Sequence, residues 1–260
     1  RLEGPLLLVI SGAGARTWVS TSAMLPLRLT VSQDSSGSCS STLSAAATGP
    51  AESKVGGAPY APAGVEWPTD LTEGFEARPL AFLAQLNFEE MPPLEGFPRR
   101  GILQFYISDG EHYGMDFEQP ARQRGFRVVF HENADAPSAG PSTEPGALLP
   151  VRGEFRMTFE AGRMPVTASD YRFDKYLLEA YNETFPGSRA ESVERIPDER
   201  LEGLYERLEC PGHRAGGYPS FTQLDPREYH AELKGHTTLL LQLASAEDGE
   251  CSVRWGEGGT

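Results

Sequence analysis

The chain has 260 residues and a mass of 28.3 kDa, enough for one large hydrophobic core or two modest ones. Its formal net charge of -14 and pI of about 4.8 indicate an acidic surface that repels phosphate backbones, so we exclude nucleic acid as a partner. Because no apolar run approaches the ~20 residues that a membrane span needs, we also exclude a membrane.

Cysteine usage favours a cytoplasmic location. The chain has three cysteines, Cys39, Cys210 and Cys251, and both the odd number and the wide spacing are typical of reduced thiols. The chain begins with Arg1, so residues could precede it, and the sequence leaves export open.

The first 53 residues divide into three pieces. Residues 1–23 show no clean period, and we expect a poorly ordered N-terminal segment. Met24–Val31 alternates and predicts a strand, so the main domain is placed at residues 24–260. Ser32–Ser53 is rich in serine, glycine and alanine; because burial there cannot offset the ordering entropy, we predict a flexible loop.

Apolar or alternating runs then predict four strands, at Pro79–Phe88, Gly101–Ser108, Gly125–His131 and Glu154–Ala161. In the last of these runs Phe155, Met157 and Phe159 share one face, which is typical of a half-buried strand. The Pro/Ser/Gly-rich residues 133–150 predict a loop or linker.

Two helices and one further strand follow. Ser169–Phe185 has apolar residues at four-residue spacing, with Ser169 or Asp170 as a possible cap. Ile196–Cys210 carries an apolar stripe made of Leu201, Leu204, Tyr205 and Leu208. His236–Ser245 is apolar on both faces and predicts a strand in a sheet interior.

An unusual corner occurs twice in the chain. The sequence GGAP at residues 56–59 returns as GGYP at residues 216–219, and LAQL at 83–86 returns as LLQL at 240–243 with nearly the same offset. We infer an internal duplication, with repeats at about 55–130 and 215–260. The predicted fold class is therefore α+β, a mostly antiparallel sheet built from two related halves with two helices between them.

The repeat makes two further predictions. A glutamine inside an apolar strand must satisfy its amide, so Gln85 and Gln242 should bond to backbone or to each other. The same offset places a second copy of the Gly101–Ser108 strand at the chain end, so we expect the second repeat to be truncated and to leave an unpaired sheet edge.

The segments SKVGGAPYAPAGVEWP, PLAFLAQLNFEEMP, GILQFYIS, GHRAGGYPSFTQLDPR, LLLQLAS and WGEGG resemble the YwqG-like family, also called DUF1963. The resemblance runs from about Met24 to the last residue. It implies one globular α+β unit that is rich in antiparallel sheet, and an early end to this chain. It implies no activity, because the family is one of unknown function. The family-motif residues are Gly56, Gly57, Pro59, Trp67, Pro68, Gln85, Asn87, Gly216, Gly217, Pro219, Gln223 and Asp225.

One group of residues could carry chemistry. Cys210, His213, His230 and His236 have loosely ligand-like spacing, so a metal-dependent or cysteine hydrolase is the alternative prediction. The sequence has no G-x-S-x-G motif and no complete phosphate loop. We therefore predict no catalytic residue, no metal and no cofactor.

The favoured prediction is a non-enzymatic binding protein with an unknown protein or peptide partner. If the two corners face each other, they frame a groove lined by aromatic and amide side chains. The binding residues predicted for it are Gly56, Gly57, Pro59, Trp67, Gln85, Asn87, Gly216, Gly217, Tyr218, Pro219, Gln223 and Asp225.

Overall fold

The computed structural model describes residues 6–11, 36–72, 77–110, 112–134, 149–248 and 251–255. Its strands are β1 Leu6–Ser11, β2 Ser36–Ser44, β3 Lys54–Gly56, β4 Thr69–Asp70, β5 Arg78–Pro79, β6 Ala81–Asn87, β7 Ile102–Ile107, β8 Phe126–His131, β9 Glu154–Met164, β10 His213–Gly216, β11 Thr238–Ala244, β12 Ala246–Asp248 and β13 Cys251–Val253. Its α-helices are α1 Phe173–Thr184, α2 Asp198–Leu201 and α3 Leu204–Leu208, and short 3-10 turns occur at Pro186–Ser188, Val193–Arg195, Pro226–Glu228 and Ala231–Leu233.

Nine strands form one sheet in the order β1-β11-β10-β2-β9-β3-β6-β7-β8. The β1 strand runs parallel to β11, and the other neighbours in this sheet are antiparallel. Two small ribbons, β4-β5 and β12-β13, lie outside it. The predicted α+β class with a mostly antiparallel sheet is confirmed.

The strongly apolar runs form the interior strands, as their sequences predict. All residues of β6 and β7 are buried, and β11 is buried from Leu239 onward. In β9, Phe155 and Met157 are buried while Arg156 and Thr158, which alternate with them, are more exposed, so the alternating pattern is confirmed. The main core joins these strands with Phe88, Phe97 and Trp255.

A second cluster packs the helices against the end of the sheet. In α1, Phe173, Leu177 and Tyr181 are buried, at the spacing the sequence predicts. The second predicted helix is interrupted, because Gly203 takes a left-handed conformation with φ of 65° and separates α2 from α3. The cluster also includes Met164 and Tyr218 from the sheet end.

The flexible loop predicted for Ser32–Ser53 is wrong at its centre, while residues 32–35 lie outside the described residues and residues 45–53 belong to no strand or helix. Residues Ser36–Ser44 form β2, a nine-residue strand in the middle of the sheet, paired to β9 on one side and β10 on the other. Cys39 is fully buried within it. Small residues carry little strand propensity of their own, so pairing on both edges determines this element.

Other N-terminal predictions fall partly outside the described residues. The strand predicted at Met24–Val31 lies outside them, as do residues 135–148 of the predicted linker. Within residues 1–23 the structure describes β1. It pairs with β11 on the side opposite β10, so the predicted open edge beside β11 is covered by this strand.

The two Gly-Gly corners share their local geometry. The φ angles are 71° and 72° at Gly56 and Gly57, and 68° and 72° at Gly216 and Gly217. All four lie in the left-handed region that favours glycine. Each pair therefore bends the chain in the same way at the end of a short strand, β3 in one case and β10 in the other.

Each corner is also held by one buried glutamine. Gln85 accepts a hydrogen bond from the Tyr60 backbone N–H (2.9 Å) and donates to the Glu52 carbonyl (2.7 Å). Gln242 accepts from the Ser220 backbone N–H (2.8 Å) and donates to the Gly212 carbonyl (3.0 Å). The sequence predicted that these amides bond either to backbone or to each other. They bond to backbone, because four strands separate β6 from β11 in the sheet.

Candidate functional site

The two corners lie at opposite ends of β9. Gly56 pairs with Glu154 at the first residue of that strand, while Gly217 lies against Met164 at its last residue. Eleven residues of strand span about 33 Å at ~3.3 Å per residue. The predicted binding residues thus form two separate groups, and the condition for one shared groove is not met.

In the first group, most predicted residues hold the corner together. Gly56 and Pro59 are buried, and Gln85 is bound to backbone as described. Asn87 donates to the Ala51 carbonyl (3.0 Å) and accepts from the Glu89 backbone N–H (3.0 Å). Trp67 donates its indole N–H to the Leu80 carbonyl (2.8 Å). These contacts are architectural.

A buried amide network extends from Gln85 to the sheet edge. Gln104 donates to the Tyr60 carbonyl (2.6 Å) and to Gln85 Oε1 (3.1 Å), which fixes the orientation of its amide. Its Oε1 then accepts from the Tyr106 hydroxyl (2.9 Å) and from His131 Nε2 (2.8 Å). Because an amide oxygen can only accept, His131 Nε2 donates the proton in this bond, and burial lowers the pKa of His131, which favours the neutral ring.

Beside the first corner the structure has a cleft of about 280 Å³. It is lined by Gly56, Gly57, Phe82, Leu83, Ile107, Leu149, Pro150, Val151, Gly153 and Glu154. Nine of these ten residues are apolar or glycine, and their backbone groups together with Glu154 make part of the wall polar. Glu154 is the ionisable side chain among the lining residues.

Glu154 is bonded through one of its two carboxylate oxygens. Oε1 accepts from the Thr48 backbone N–H (2.8 Å) and from the Thr48 hydroxyl, and it lies 3.9 Å from Lys54 Nζ. Oε2 abuts Gly57, at 2.3 Å from where a Cβ would stand, and has no hydrogen-bond partner among the described residues. One carboxylate oxygen is therefore available at the cleft.

Lys54 lies almost wholly buried behind this carboxylate. Its ammonium donates to the Ala58 carbonyl (3.0 Å), inside the corner itself. Burial lowers the pKa of Lys54, and the charges of Glu154 and Glu52 oppose that shift. Sequence reasoning missed both Lys54 and Glu154; the available signal was a basic residue two positions before each glycine pair, Lys54 and Arg214.

The second group surrounds a set of four charges, of which Asp170, Asp225 and Arg227 are buried and Arg172 is partly exposed. Arg227 bonds Asp225 (2.6 Å) and Asp170 (2.9 Å), and Arg172 bonds Asp170 through two nitrogens, each at 2.7 Å. Tyr171 donates its backbone N–H to Asp225 (3.0 Å). Burial opposes ionisation of Asp170, but the hydrogen bonds and charge of Arg172, helped by Arg227, outweigh it and lower its pKa. The set joins the second corner to the start of α1.

The remaining residues of this group pack on that set. Tyr218 is buried, with the Arg172 guanidinium 4.9 Å from its ring centroid, and Pro219 accepts a hydrogen bond from Thr167. Gln223 is exposed. Ser169 accepts from the Phe221 backbone N–H (2.8 Å) and Asp170 binds arginines, so neither caps α1, whose N-cap is Arg172.

The Cys/His set of the hydrolase alternative does not form one site. Among the described residues, no three His, Cys, Asp or Glu side chains are placed to share a metal ion. His213 accepts from the Ala244 backbone N–H through Nδ1 (3.3 Å), and His230 lies 3.8 Å from Glu232. Burial, reinforced by the charge of Arg214, lowers the pKa of His213 to about 4.

A model of the domain of unknown function DUF1963 matches residues 53–260. The chain belongs to the DUF1963 family. The match begins just before β3 and includes both corners, so the resemblance read from the motifs is confirmed, while β1 and β2 of this DUF1963 protein precede it. No curated protein matches its sequence significantly. Within the described part of the chain, helices that combine the length and apolarity of a membrane span are absent.

Proposed function

We propose that this DUF1963 protein is a non-enzymatic binding protein, and that its cleft beside Gly56–Gly57 holds one apolar side chain of a protein or peptide partner. The size of the cleft supports this choice. Pockets for whole small molecules commonly have volumes of ~300–1,000 Å³, so about 280 Å³ lies below that range and suits one large side chain.

The charge of the cleft supports a partner with a cationic or N–H donor group. Glu154 Oε2 abuts the cleft wall and lacks a partner among the described residues, and a donor that reached it would form a charge-assisted hydrogen bond. The net charge of -14 attracts basic partners over longer distances. The partner segment is therefore an apolar residue next to lysine or arginine.

The same proposal includes the duplication of the two halves. It is supported by the matched φ angles of the two corners and by the matched bonds of Gln85 and Gln242. On this proposal, the corner has a structural role in both halves, and the cleft that binds the partner lies beside the first corner, at Gly56–Gly57. A cytoplasmic location remains part of the proposal and is supported by the free thiols of Cys39 and Cys210.

A peptide selection tests this function. Immobilised protein is used to select from a random dodecapeptide library, and the bound peptides should share a large apolar residue beside lysine or arginine. Glu154→Gln keeps the shape and removes the charge, and should weaken binding of a selected peptide about tenfold, as for loss of one charge-assisted bond of ~1.5 kcal/mol. Leu149→Trp, at the half-buried edge of the cleft, should abolish binding by filling it.

The matched control is Glu160→Gln, an exposed position on the same strand β9 that lies away from the cleft. It removes the same charge and should leave peptide affinity nearly unchanged. If Glu154→Gln and Glu160→Gln weaken peptide binding equally, the loss is due to net charge alone, and the cleft is not the binding site. A selection that yields no enriched peptide would reject the peptide partner.

A further inference from the structure

The nine-stranded sheet ends at β8, the strand Phe126–His131. On one side β8 is paired along its whole length with β7, and in the described part of the chain no strand pairs with its other side. All its residues are half-buried, and it contains neither a proline nor a bulge, two of the devices that protect sheet edges. This edge is therefore able to accept another strand.

The pairing with β7 decides which backbone groups of β8 point outward. The Ser108 N–H donates to the Gly125 carbonyl (2.8 Å), so this pair and every second pair along β8 carry the hydrogen bonds between the two strands. The outward-facing groups are therefore the N–H and C=O of Phe126, Val128 and Phe130. The Val128 N–H agrees with this assignment, because it donates to the Gln123 side-chain oxygen (2.9 Å) and not to β7.

Gln123 thus substitutes for a neighbouring strand at one of these positions. It is exposed, and its amide oxygen takes the place of a strand carbonyl at the Val128 N–H. The outward N–H groups of Phe126 and Phe130 have no hydrogen-bond partner among the described residues. An added strand would bond these groups and would displace one exposed amide.

The charge around β8 is opposite to that of the whole molecule. Residues 119–131 contain three arginines and no aspartate or glutamate, in a chain of net charge -14. Arg122 is exposed, and Arg127 lies on β8 itself and is half-exposed. In the antiparallel pairing of two copies that uses all the outward groups, Arg127 would lie diagonally across from its own copy, which is unfavourable. An acidic segment is the complementary partner.

We propose that β8 binds an extended acidic peptide segment as a further antiparallel strand. Phe126, Val128 and Phe130 pack on the main core, so the peptide residues opposite them share that face and are apolar. The peptide residues between these lie on the face of Arg127 and are acidic. The segment therefore alternates apolar and acidic residues. Because β8 contributes no residue to the cleft, this site is separate from the cleft site and takes a partner of opposite charge.

The test measures binding of a fluorescent heptapeptide of alternating valine and glutamate by anisotropy, with an alternating valine–lysine peptide as the charge control. The acidic peptide should bind at least about tenfold more tightly than the basic one. Methylation of the valine N–H groups, which face β8 in antiparallel pairing, should abolish binding, whereas methylation of the glutamate N–H groups should leave it nearly unchanged. Equal losses with the two methylated peptides overturn the proposal, as does no binding of the acidic peptide up to about 1 mM.

Variants of the protein test the edge from the other side. Val128→Pro removes an outward N–H that β7 does not use, and should weaken binding at least about tenfold. Gln123→Ala removes the competing acceptor and should strengthen binding about threefold. Arg127→Gln should weaken binding about threefold, while the exposed Arg189→Gln, after α1, is the matched control and should not change it.

Circular dichroism checks that each variant folds, and unchanged affinity in a folded Val128→Pro overturns the proposal. If that variant does not fold, the methylated peptides decide. Sedimentation velocity of the protein alone tests a second copy as the occupant of the edge. Wild type and Val128→Pro should sediment alike; a wild-type dimer that becomes monomeric in Val128→Pro would show that a second copy covers β8 and would overturn the acidic peptide.

Discussion

Gly56 and Gly57 have one conformational requirement but two different surroundings. A Cβ at Gly56 would lie 2.1 Å from the Gly153 carbonyl oxygen, which is backbone and cannot rotate away. At Gly57 the obstacle is the Glu154 carboxylate, the end of a flexible side chain. The first glycine is therefore fixed by sterics as well as by its φ of 71°.

Replacement of Gly56 by alanine should destabilise the protein by about 3 kcal/mol or more, since it combines left-handed strain of ~1–2 kcal/mol with a backbone clash. The control is Gly64→Ala, where φ is 81° and the added Cβ would meet nothing within 4 Å. That variant should lose only about 1 kcal/mol. Urea denaturation measures both, and equal losses would show that the close approach to Gly153 has no energetic weight.

At the scale of elements, β2 shows how pairing replaces propensity, and β1 shows how a sheet edge is covered. The serine-rich β2 is bonded along its length to β9, with Thr42 opposite Thr158, and to β10 on its other edge. Two-sided pairing satisfies its backbone groups, which small polar side chains could not do alone. The β1 strand is paired on one side and covers β11, which would otherwise be an apolar strand at an open edge.

Proline scanning of β1 tests this covering role. Adjacent residues of an edge strand turn their N–H groups to opposite sides, so Val9→Pro and Ile10→Pro remove unequal numbers of bonds to β11. One of the two should lower the free energy of unfolding by about 1–2 kcal/mol and the other by much less. Two variants with wild-type stability would contradict the pairing of β1 with β11.

For the whole molecule, His213 links stability to pH. Its pKa is about 4 in the folded state, below the ~6.5 of an unfolded chain, so between these values the unfolded state binds a proton that the folded state does not. The contribution of His213 to the free energy of unfolding is therefore fully present above pH 6.5 and is lost as the pH drops toward 4. A difference of about 2.5 units corresponds to a loss of about 3 kcal/mol, within a factor of two.

Urea denaturation at pH 7.0 and pH 4.5 measures this loss. His213→Asn, which keeps an acceptor for the Ala244 N–H, should reduce the difference between the two pH values by at least half. His112→Gln, at an exposed position, is the control and should keep the wild-type difference. If His213→Asn keeps it too, other groups cause the acid sensitivity. Below pH 4, protonation of Asp170, whose folded-state pKa is lowered, adds a separate loss.

The sequence by itself determined the features that are encoded locally. Apolar runs placed β6, β7, β8 and β11, alternation placed β9, and four-residue spacing placed the buried face of α1, because burial of a face imposes these periods. The glycine pairs and the family motifs marked the two corners and the membership in DUF1963, since left-handed turns restrict the residue type.

Only the tertiary structure decided where those pieces meet. It placed the corners at opposite ends of β9, made the central β2 out of a serine-rich segment, and divided one predicted helix into α2 and α3 at Gly203. It also set Glu154 at the cleft. Many of these contacts join residues a hundred or more positions apart, such as Lys54 with Glu154 and Ser38 with Gly216. No local pattern of residues records them, because pairing and charge neutralisation depend on what lies across the fold.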